Sequence, residues 1–206
     1  LLMNTWLSSL KIQCDGRILV GGSINLPGEG LLARYRADGS LDTHFAVDGF
    51  MRFEARGHSA QVNRIVQQDN GDVQCFGSSR EPMRCLALKV HINGRPDRHC
   101  NGGQPQLLEI ANNGCQWTAA QAQPDGSVVV AGATFGGVEA DFLLGRYSPD
   151  GQLDPDFGDG NGWVRTRLGR SLDTATSVAV QRDGNIVVGG YSLDGHYRAI
   201  VARYLA

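Results

Sequence analysis

The sequence lacks most of the patterns that would assign a protein to an activity class at once. It has no Cys-x-x-Cys pair, no phosphate loop, no dinucleotide fingerprint, no zinc-hydrolase spacing and no arrangement that predicts a Ser-His-Asp triad. Its apolar runs are far shorter than the roughly 20 residues that span a bilayer. The formal net charge of −2 gives no electrostatic reason to bind nucleic acid. We therefore expect no cofactor, no nucleic-acid partner and no membrane insertion.

Evidence about the compartment is equally sparse. The first ten residues have neither a basic region nor a small-residue cleavage site, so no secretory signal peptide is visible. The sequence leaves the cytoplasm and export as alternatives. Four of the five cysteines lie between Cys75 and Cys115, a clustering that favours buried thiols in apolar positions over a disulfide framework. One isolated disulfide or a metal site is the alternative.

Glycine, in contrast, is abundant, with 28 residues, and it marks an internal repeat. Four segments share Gln-x-(Asp/Asn)-Gly followed by a short apolar run and a second glycine. They are Gln13–Gly16, Gln68–Gly71, Gln123–Gly126 and Gln181–Gly184, and the second glycines are Gly22, Gly77, Gly132 and Gly190.

A basic residue also recurs in each copy, at Arg34, Lys89, Arg146 and Arg203. In the first three copies a second turn follows, with an aspartate at Asp42, Asp97 and Asp154. We expect the basic residue to pair with that aspartate. The rival interpretation is a ring of cations that binds an anion.

Each unit reads as a meander of four strands, because short apolar runs alternate with Asp-Gly or Asn-Gly turns. Such a sheet cannot bury both faces alone, and radial stacking of four-stranded sheets gives a β-propeller. The sequence therefore predicts an all-β, single-domain propeller over residues 1–206. Its four blades are approximately 5–59, 60–114, 115–172 and 173–206 plus 1–4.

The chain ends suggest how this ring could close. We expect the N-terminal strand, Leu1–Asn4, to complete the last blade by pairing with Ala199–Tyr204. Two alternatives stay open: a homodimer that forms an eight-blade ring, and a linear β-solenoid. A monomer and a homodimer are thus both compatible with the sequence.

The repeat resembles the bacterial delta-60 repeat, a propeller-like family. The resemblance rests on Gln123–Gly132, Ala202–Tyr204 and Asp38–Phe45 and extends over essentially the whole chain. It implies a bacterial source and a propeller-like fold, and it carries over no catalytic or binding residue. The second copy departs most from the pattern, with Asn70, Pro96 and Cys100 in place of Asp, Leu and Phe.

Two sets of residues are candidates for a site. Trp6, Trp117 and Trp163 lie at predicted blade junctions, where aromatic rings either stack on sugars or pack between blades. Asp154, Asp156 and Asp159 lie in a glycine-rich loop with oxygen ligands of the kind that calcium prefers, although the spacing is not that of an EF-hand.

From these observations we expect a non-enzymatic binding or scaffolding propeller whose loops recognise a protein partner. The alternative is a carbohydrate-binding, lectin-like module with a glycan as partner. A metal-dependent hydrolase or lactonase is disfavoured, because no convergent set of His, Asp and Glu residues can be placed.

Overall fold

The computed structural model describes residues 4–25, 28–110, 114–136, 139–168 and 172–205. Within them the regular structure is β-strand, apart from a 3-10 turn at Asn101–Gly103. The strands are β1 (Thr5–Ile12), β2 (Ile18–Ile24), β3 (Glu29–Tyr35), β4 (Phe50–Phe53), β5 (Ala60–Gln67), β6 (Val73–Ser79), β7 (Arg84–Val90), β8 (Gln106–Leu108), β9 (Gly114–Ala122), β10 (Val128–Gly136), β11 (Glu139–Tyr147), β12 (Trp163–Thr166), β13 (Leu172–Val180), β14 (Ile186–Asp194) and β15 (His196–Tyr204). No helix among these residues is long and apolar enough to cross a membrane.

The strands form four antiparallel meanders, which we call blades I to IV. Blade I is β1–β4, blade II is β5–β8, blade III is β9–β12 and blade IV is β13–β15. A single parallel pair, Ala140 with Leu172, joins the sheets of blades III and IV. The predicted all-β meander is confirmed, and the order of strands in each blade follows the sequence repeat.

The Gln-x-(Asp/Asn)-Gly motif forms the turn between the first two strands of every blade. The Asp or Asn side chain accepts a hydrogen bond from the backbone two residues later, at 2.9 to 3.2 Å. The glycine has a φ between +80° and +86°, in the left-handed region that side chains disfavour. The motif is therefore a requirement of the turn, not a binding signature.

The second glycine of each repeat is required by a close backbone approach. The first strand of every blade carries an irregularity in register opposite this glycine. A Cβ at Gly22 would lie 1.9 Å from the carbonyl oxygen of Trp6, and one at Gly190 would lie 2.1 Å from that of Thr174. No other residue fits there without displacing the strand.

Consecutive blades pack face to face through three apolar cores. The first strand of each blade crosses the face of the preceding one: β5 covers β1–β3, β9 covers β5–β7 and β13 covers β9–β11. The largest buried side chains in the second core are Trp117 and Tyr147, whose rings meet edge-on at 6.3 Å. Four cysteines, Cys75, Cys85, Cys100 and Cys115, are buried and free, which confirms the prediction of thiols in core positions.

The repeated basic residue pairs with the aspartate of the second turn, as predicted. Arg34 Nε lies 2.8 Å from Asp42 Oδ2, Lys89 Nζ lies 3.3 Å from Asp97 and Arg146 Nε lies 2.5 Å from Asp154. The fourth, Arg203, lies 3.1 Å from Asp183 instead. Because these side chains bind carboxylates within their own blades, they do not form an anion-binding ring.

In blade II both the arginine and the phenylalanine of this arrangement are replaced. Arg34 and Arg146 lie over the rings of Phe45 and Phe157, at 4.8 and 5.0 Å from the ring centroids. Blade II has a lysine and Cys100 at the equivalent positions. A lysine suffices there because no ring is present for a guanidinium to stack on.

Closure of the ring by the N-terminal residues is not observed. β1 begins at Thr5 and belongs to blade I, Asn4 lies in a turn, and residues 1–3 lie outside the described residues. Among the described residues β15 pairs only with β14, so blade IV has three strands. A propeller-like arrangement of blades is present, but a closed four-blade ring is not confirmed.

The Arg34–Asp42 pair makes the stability of the fold sensitive to acid. Burial alone would raise the pKa of Asp42, but the Arg34 hydrogen bond, the His44 amide and the charges of Arg34 and Arg17 outweigh it, so the pKa lies below its usual value of 3.8. A carboxyl whose pKa is lower in the folded state stabilises it above the unfolded pKa and loses that contribution as the pH falls.

We therefore expect Asp42→Asn to lower the free energy of unfolding by about 3 kcal/mol at neutral pH, because it leaves the buried Arg34 without its counter-charge. The deficit should shrink as the pH falls below the unfolded pKa of about 4 and through the lower pKa of folded Asp42, because the wild-type protein then loses the contribution of this carboxylate. Urea unfolding at several pH values measures this. Asp48→Asn, at an exposed position of the same blade, is the control. A deficit that is constant with pH would contradict the assignment.

Candidate functional site: a cationic groove on blade II

The second turn of blade II lines a surface groove of about 860 Å³, which we call the cationic groove. Its lining contains two arginines and two histidines and no carboxylate. The lining residues are His91, Arg95, Pro96, Arg98, His99, Gly102, Gly103 and Gln104. Since the protein as a whole carries a net charge of −2, this local excess of cations is a distinct feature of the surface.

The cationic groove is built from residues at which blade II departs from the other repeats. Arg95 stands where blades I and III have Ser40 and Gln152. Arg98 stands where they have Thr43 and Pro155. This copy is the one that departs most from the repeat pattern, although neither arginine was among the candidate site residues predicted from the sequence. The signal available for finding them was the gain of positive charge at turn positions that are neutral elsewhere.

Next to the groove, Lys89 and His91 bind two largely buried acids, Asp72 and Asp97. Lys89 Nζ lies 3.3 Å from Asp97 and 4.0 Å from Asp72, and His91 Nδ1 lies 3.4 Å from Asp72. Burial alone would raise the pKa of Asp97, but the His99 amide, Lys89 and His91 together lower it, so the carboxylate stays charged and paired. Asp72 and Asp97 are therefore paired with Lys89 and His91 rather than with the arginines of the groove.

Arg95 and Arg98 differ from these cations in their surroundings. Both side chains are exposed, and neither makes an ion pair within the described residues. Two guanidinium groups at one turn, each with free donors, can hold carboxylate, sulfate or phosphate groups by paired hydrogen bonds. The arrangement is suited to binding an anion and contains no evident nucleophile.

A second depression of about 910 Å³, the rim groove, continues from the cationic groove between blades I and II. The two share Arg95, Pro96, Gly103 and Gln104. The rim groove adds Arg52 and Arg56, the acids Glu29, Asp48 and Glu54, and the rings of Phe50 and Phe53. The two grooves together thus form a longer path that is lined by both charged and apolar side chains.

The three tryptophans predicted from the sequence do not form one site. Trp117 is fully buried between blades II and III, and its Nε1 donates to the Tyr147 hydroxyl at 3.3 Å. Trp163 is partly buried against the same core. Trp6 alone is exposed, at 54% of its surface, on the first strand of blade I.

The three aspartates are likewise not gathered around a cation. Asp154 binds Arg146 and also accepts a hydrogen bond from the Asp156 amide at 2.9 Å. Asp156 and Asp159 are exposed. Within the described part of the chain, no three His, Cys, Asp or Glu side chains are placed to hold a metal ion.

Comparison with known families agrees with the observed repeat. Residues 13–45, 123–157 and 181–206 match a family described as "Domain of unknown function (DUF5122) beta-propeller". The match supports a propeller-like repeat family. It does not separately show the delta-60 repeat, and blade II lies outside all three segments. No curated protein matches the chain.

Solved structures with a similar fold include enzymes. An ulvan lyase of polysaccharide lyase family PL25 is 11% identical, with a TM-score of 0.54 over 95% of this chain and 54% of that one. The ulvan lyase bound to -[GlcA(1-4)Rha3S]- has 11% identity and a TM-score of 0.55 over 98% and 56%. A protein of unknown function from Bacteroides caccae has 16% identity and a TM-score of 0.48 over 91% and 57%. The chain therefore spans little more than half the length of these proteins.

The prediction that the chain is not an enzyme is contradicted by these neighbours. A polysaccharide lyase has the same general fold, so the fold is compatible with enzymes and gives no ground for excluding catalysis. The absence of familiar motifs in the sequence is therefore not evidence against catalysis. Identity of 11% shows the fold alone.

The buried position of Trp117 gives a direct test against the exposed Trp6. We expect Trp117→Leu to lower the free energy of unfolding by about 3 kcal/mol, because it leaves a cavity between blades II and III. The matched change Trp6→Leu should cost well under about 1 kcal/mol. Chemical denaturation of both variants measures the difference. Equal effects would show that Trp117 does not have the core role assigned to it.

Proposed function

We propose that this chain is a recognition module that binds an anionic polysaccharide along the cationic groove and the rim groove. The observation that carries the proposal is the pair of exposed arginines, Arg95 and Arg98, neither of which forms an ion pair with a carboxylate of the described residues. Both lie on the one blade whose turn departs from the repeat. A turn that served the fold alone would not need them, since blades I and III form it with neutral residues.

The extent of the surface favours a polymer over a single small anion. The two grooves have volumes of about 860 and 910 Å³ and share a wall, so they form one continuous path. Phe50 and Phe53 supply apolar surface in the rim groove, and sugar rings have apolar faces that pack on such side chains. The path has four arginines and three carboxylates, so the arginines of the cationic groove, Arg95 and Arg98, are the ones best placed to contact acidic groups.

The glycan bound in one of the similar solved structures makes an acidic glycan a reasonable probe. The repeat -[GlcA(1-4)Rha3S]-, which is bound in one of the solved ulvan lyases, carries carboxylate and sulfate groups. Guanidinium groups pair with both. Recognition of a protein partner, the first expectation from the sequence, has no comparable support at this groove. Release of new sugar ends in the same samples would show that the chain also cleaves the glycan.

The decisive variant is Arg95→Ala combined with Arg98→Ala. We expect it to weaken the binding of ulvan about tenfold, because each exposed charged contact contributes about 0.5–1 kcal/mol. Binding by the unchanged protein should also weaken with added salt, which screens exposed charges. Titration calorimetry with ulvan, and with dextran as a neutral glycan, measures both effects.

Arg182→Ala combined with Arg198→Ala is the matched control. It removes the same total charge from exposed positions on blade IV, away from both grooves. The control should bind ulvan with unchanged affinity. If both double variants lose affinity equally, binding is a non-specific charge effect and the groove is not the site. If ulvan does not bind to the unchanged protein, the proposal fails at the outset.

A further inference from the structure

Two cysteines lie opposite each other at the junction between blades II and III. Cys85 belongs to β7, the third strand of blade II, and Cys115 belongs to β9, the first strand of blade III. Packing accounts for two of the other cysteines, because Cys75 and Cys100 stand where other blades have valine and phenylalanine. No such substitution accounts for Cys85 and Cys115, so this pair needs a separate explanation.

The repeat does not require sulfur at either of these positions. At the junction of blades I and II the equivalent residues are Gly30 and Ala60, and at the junction of blades III and IV they are Phe142 and Asp173. These residues share neither size nor polarity with a pair of thiols. The two cysteines are therefore a feature of one junction, where both positions carry a thiol together.

The sulfur of Cys115 lies against the backbone of Cys85. The Cys85 amide donates to Cys115 Sγ at 2.9 Å, and the Cys115 thiol reaches the Leu108 carbonyl at 3.6 Å. Leu108 is the cross-strand partner of Cys85, so the Cys115 side chain lies over this pair. The Cys115 amide donates to the Met83 carbonyl at 3.3 Å, which holds the two strands together. A sulfur in contact with the amide of the other cysteine brings the two residues into the short range that a disulfide spans.

Burial decides when these thiols can react. Cys85 and Cys115 are both 0% exposed, in the core that also contains Trp117 and Tyr147. Burial raises the pKa of the Cys85 thiol well above its usual value, and the neighbouring Cys115 thiol raises it further. The thiolate is the reactive form in disulfide exchange, and a buried thiol is out of reach of an oxidant. Reaction therefore needs a chain that is still folding, or a junction that has opened transiently.

We propose that Cys85 and Cys115 form a disulfide that joins blade II to blade III when the chain folds in oxidising surroundings. The oxidant is a small disulfide such as glutathione disulfide. One cysteine attacks it and releases the first glutathione thiol, and the other cysteine then attacks the mixed disulfide and releases the second. Both cysteine protons end on the two glutathione thiols. In reducing surroundings the pair stays as the two thiols of the present structure.

The bond would stabilise the junction and the strand that leads to the cationic groove. It joins residues 30 positions apart in the sequence, and such a cross-link stabilises a fold by restricting the unfolded chain. β7 ends at Val90, directly before His91 of the cationic groove. The oxidised protein should therefore unfold at a higher urea concentration than the reduced protein, with this strand tied to blade III.

Thiol counting and peptide mapping test the pairing in a Cys14→Ser background, which removes an exposed thiol. The full chain is held with glutathione disulfide in urea just below its unfolding midpoint, where the junction opens transiently, and is then returned to buffer. We expect two of the four buried thiols to be lost and the peptide of Cys85 to be linked to that of Cys115. Digestion by trypsin and a Glu-specific protease cuts at Glu109 and so distinguishes Cys115 from Cys100.

Two variants that adopt the residue of another blade serve as a matched pair. Cys115→Ala places there the residue found at Ala60 and should abolish the bond. Cys75→Val changes a buried thiol of the first core to the residue of the other three blades and should leave the bond intact. Urea unfolding with and without reductant is measured on each variant.

Labelling of the buried thiols by iodoacetamide under the same conditions shows that glutathione disulfide can reach them. The inference is overturned if thiols that are labelled in this way stay unbonded in the presence of glutathione disulfide. It is also overturned if Cys75 or Cys100 is the partner of Cys85, or if the oxidised protein unfolds at a lower urea concentration than the reduced protein.

Discussion

Between consecutive blades, a sheet is buried where the first strand of the next blade crosses its face. The crossing strand bears an irregularity in register, the glycine opposite it admits the backbone, and the displaced polar side chain donates to the next blade. These features recur because each depends on the others. A side chain in place of Gly22 would push β1 away from β2, and the hydroxyl of Ser8 would then no longer be held against Val62. The spacing between blades is thus set by backbone contacts, and apolar side chains fill the space that remains.

Blade II shows how a repeat can change without losing its place in the stack. Its Lys89 replaces the arginine and its Cys100 replaces the phenylalanine that stack on each other elsewhere, so the pair changed as a unit. Cys100 remains buried, and its thiol has a raised pKa through burial, as expected for a packing group. The acids of this turn stay bound to Lys89 and His91 below the surface, while Arg95 and Arg98 point outward from it. The fold therefore separates charge that supports the turn from charge that is available to a ligand.

Much of this architecture is predictable from the sequence because its determinants are local. The turn at Asp125-Gly126, the close approach at Gly132 and the Arg146–Asp154 pair all follow from residues at short separation. The predicted pairing of Leu1–Asn4 with Ala199–Tyr204 is not local, and it stays a prediction because residues 1–3 lie outside the described residues. Trp117 was ambiguous for the same reason, since only the packing of blades II and III decides whether it is covered. Arg95 and Arg98 were missed because a repeat alignment directs attention to what the copies share.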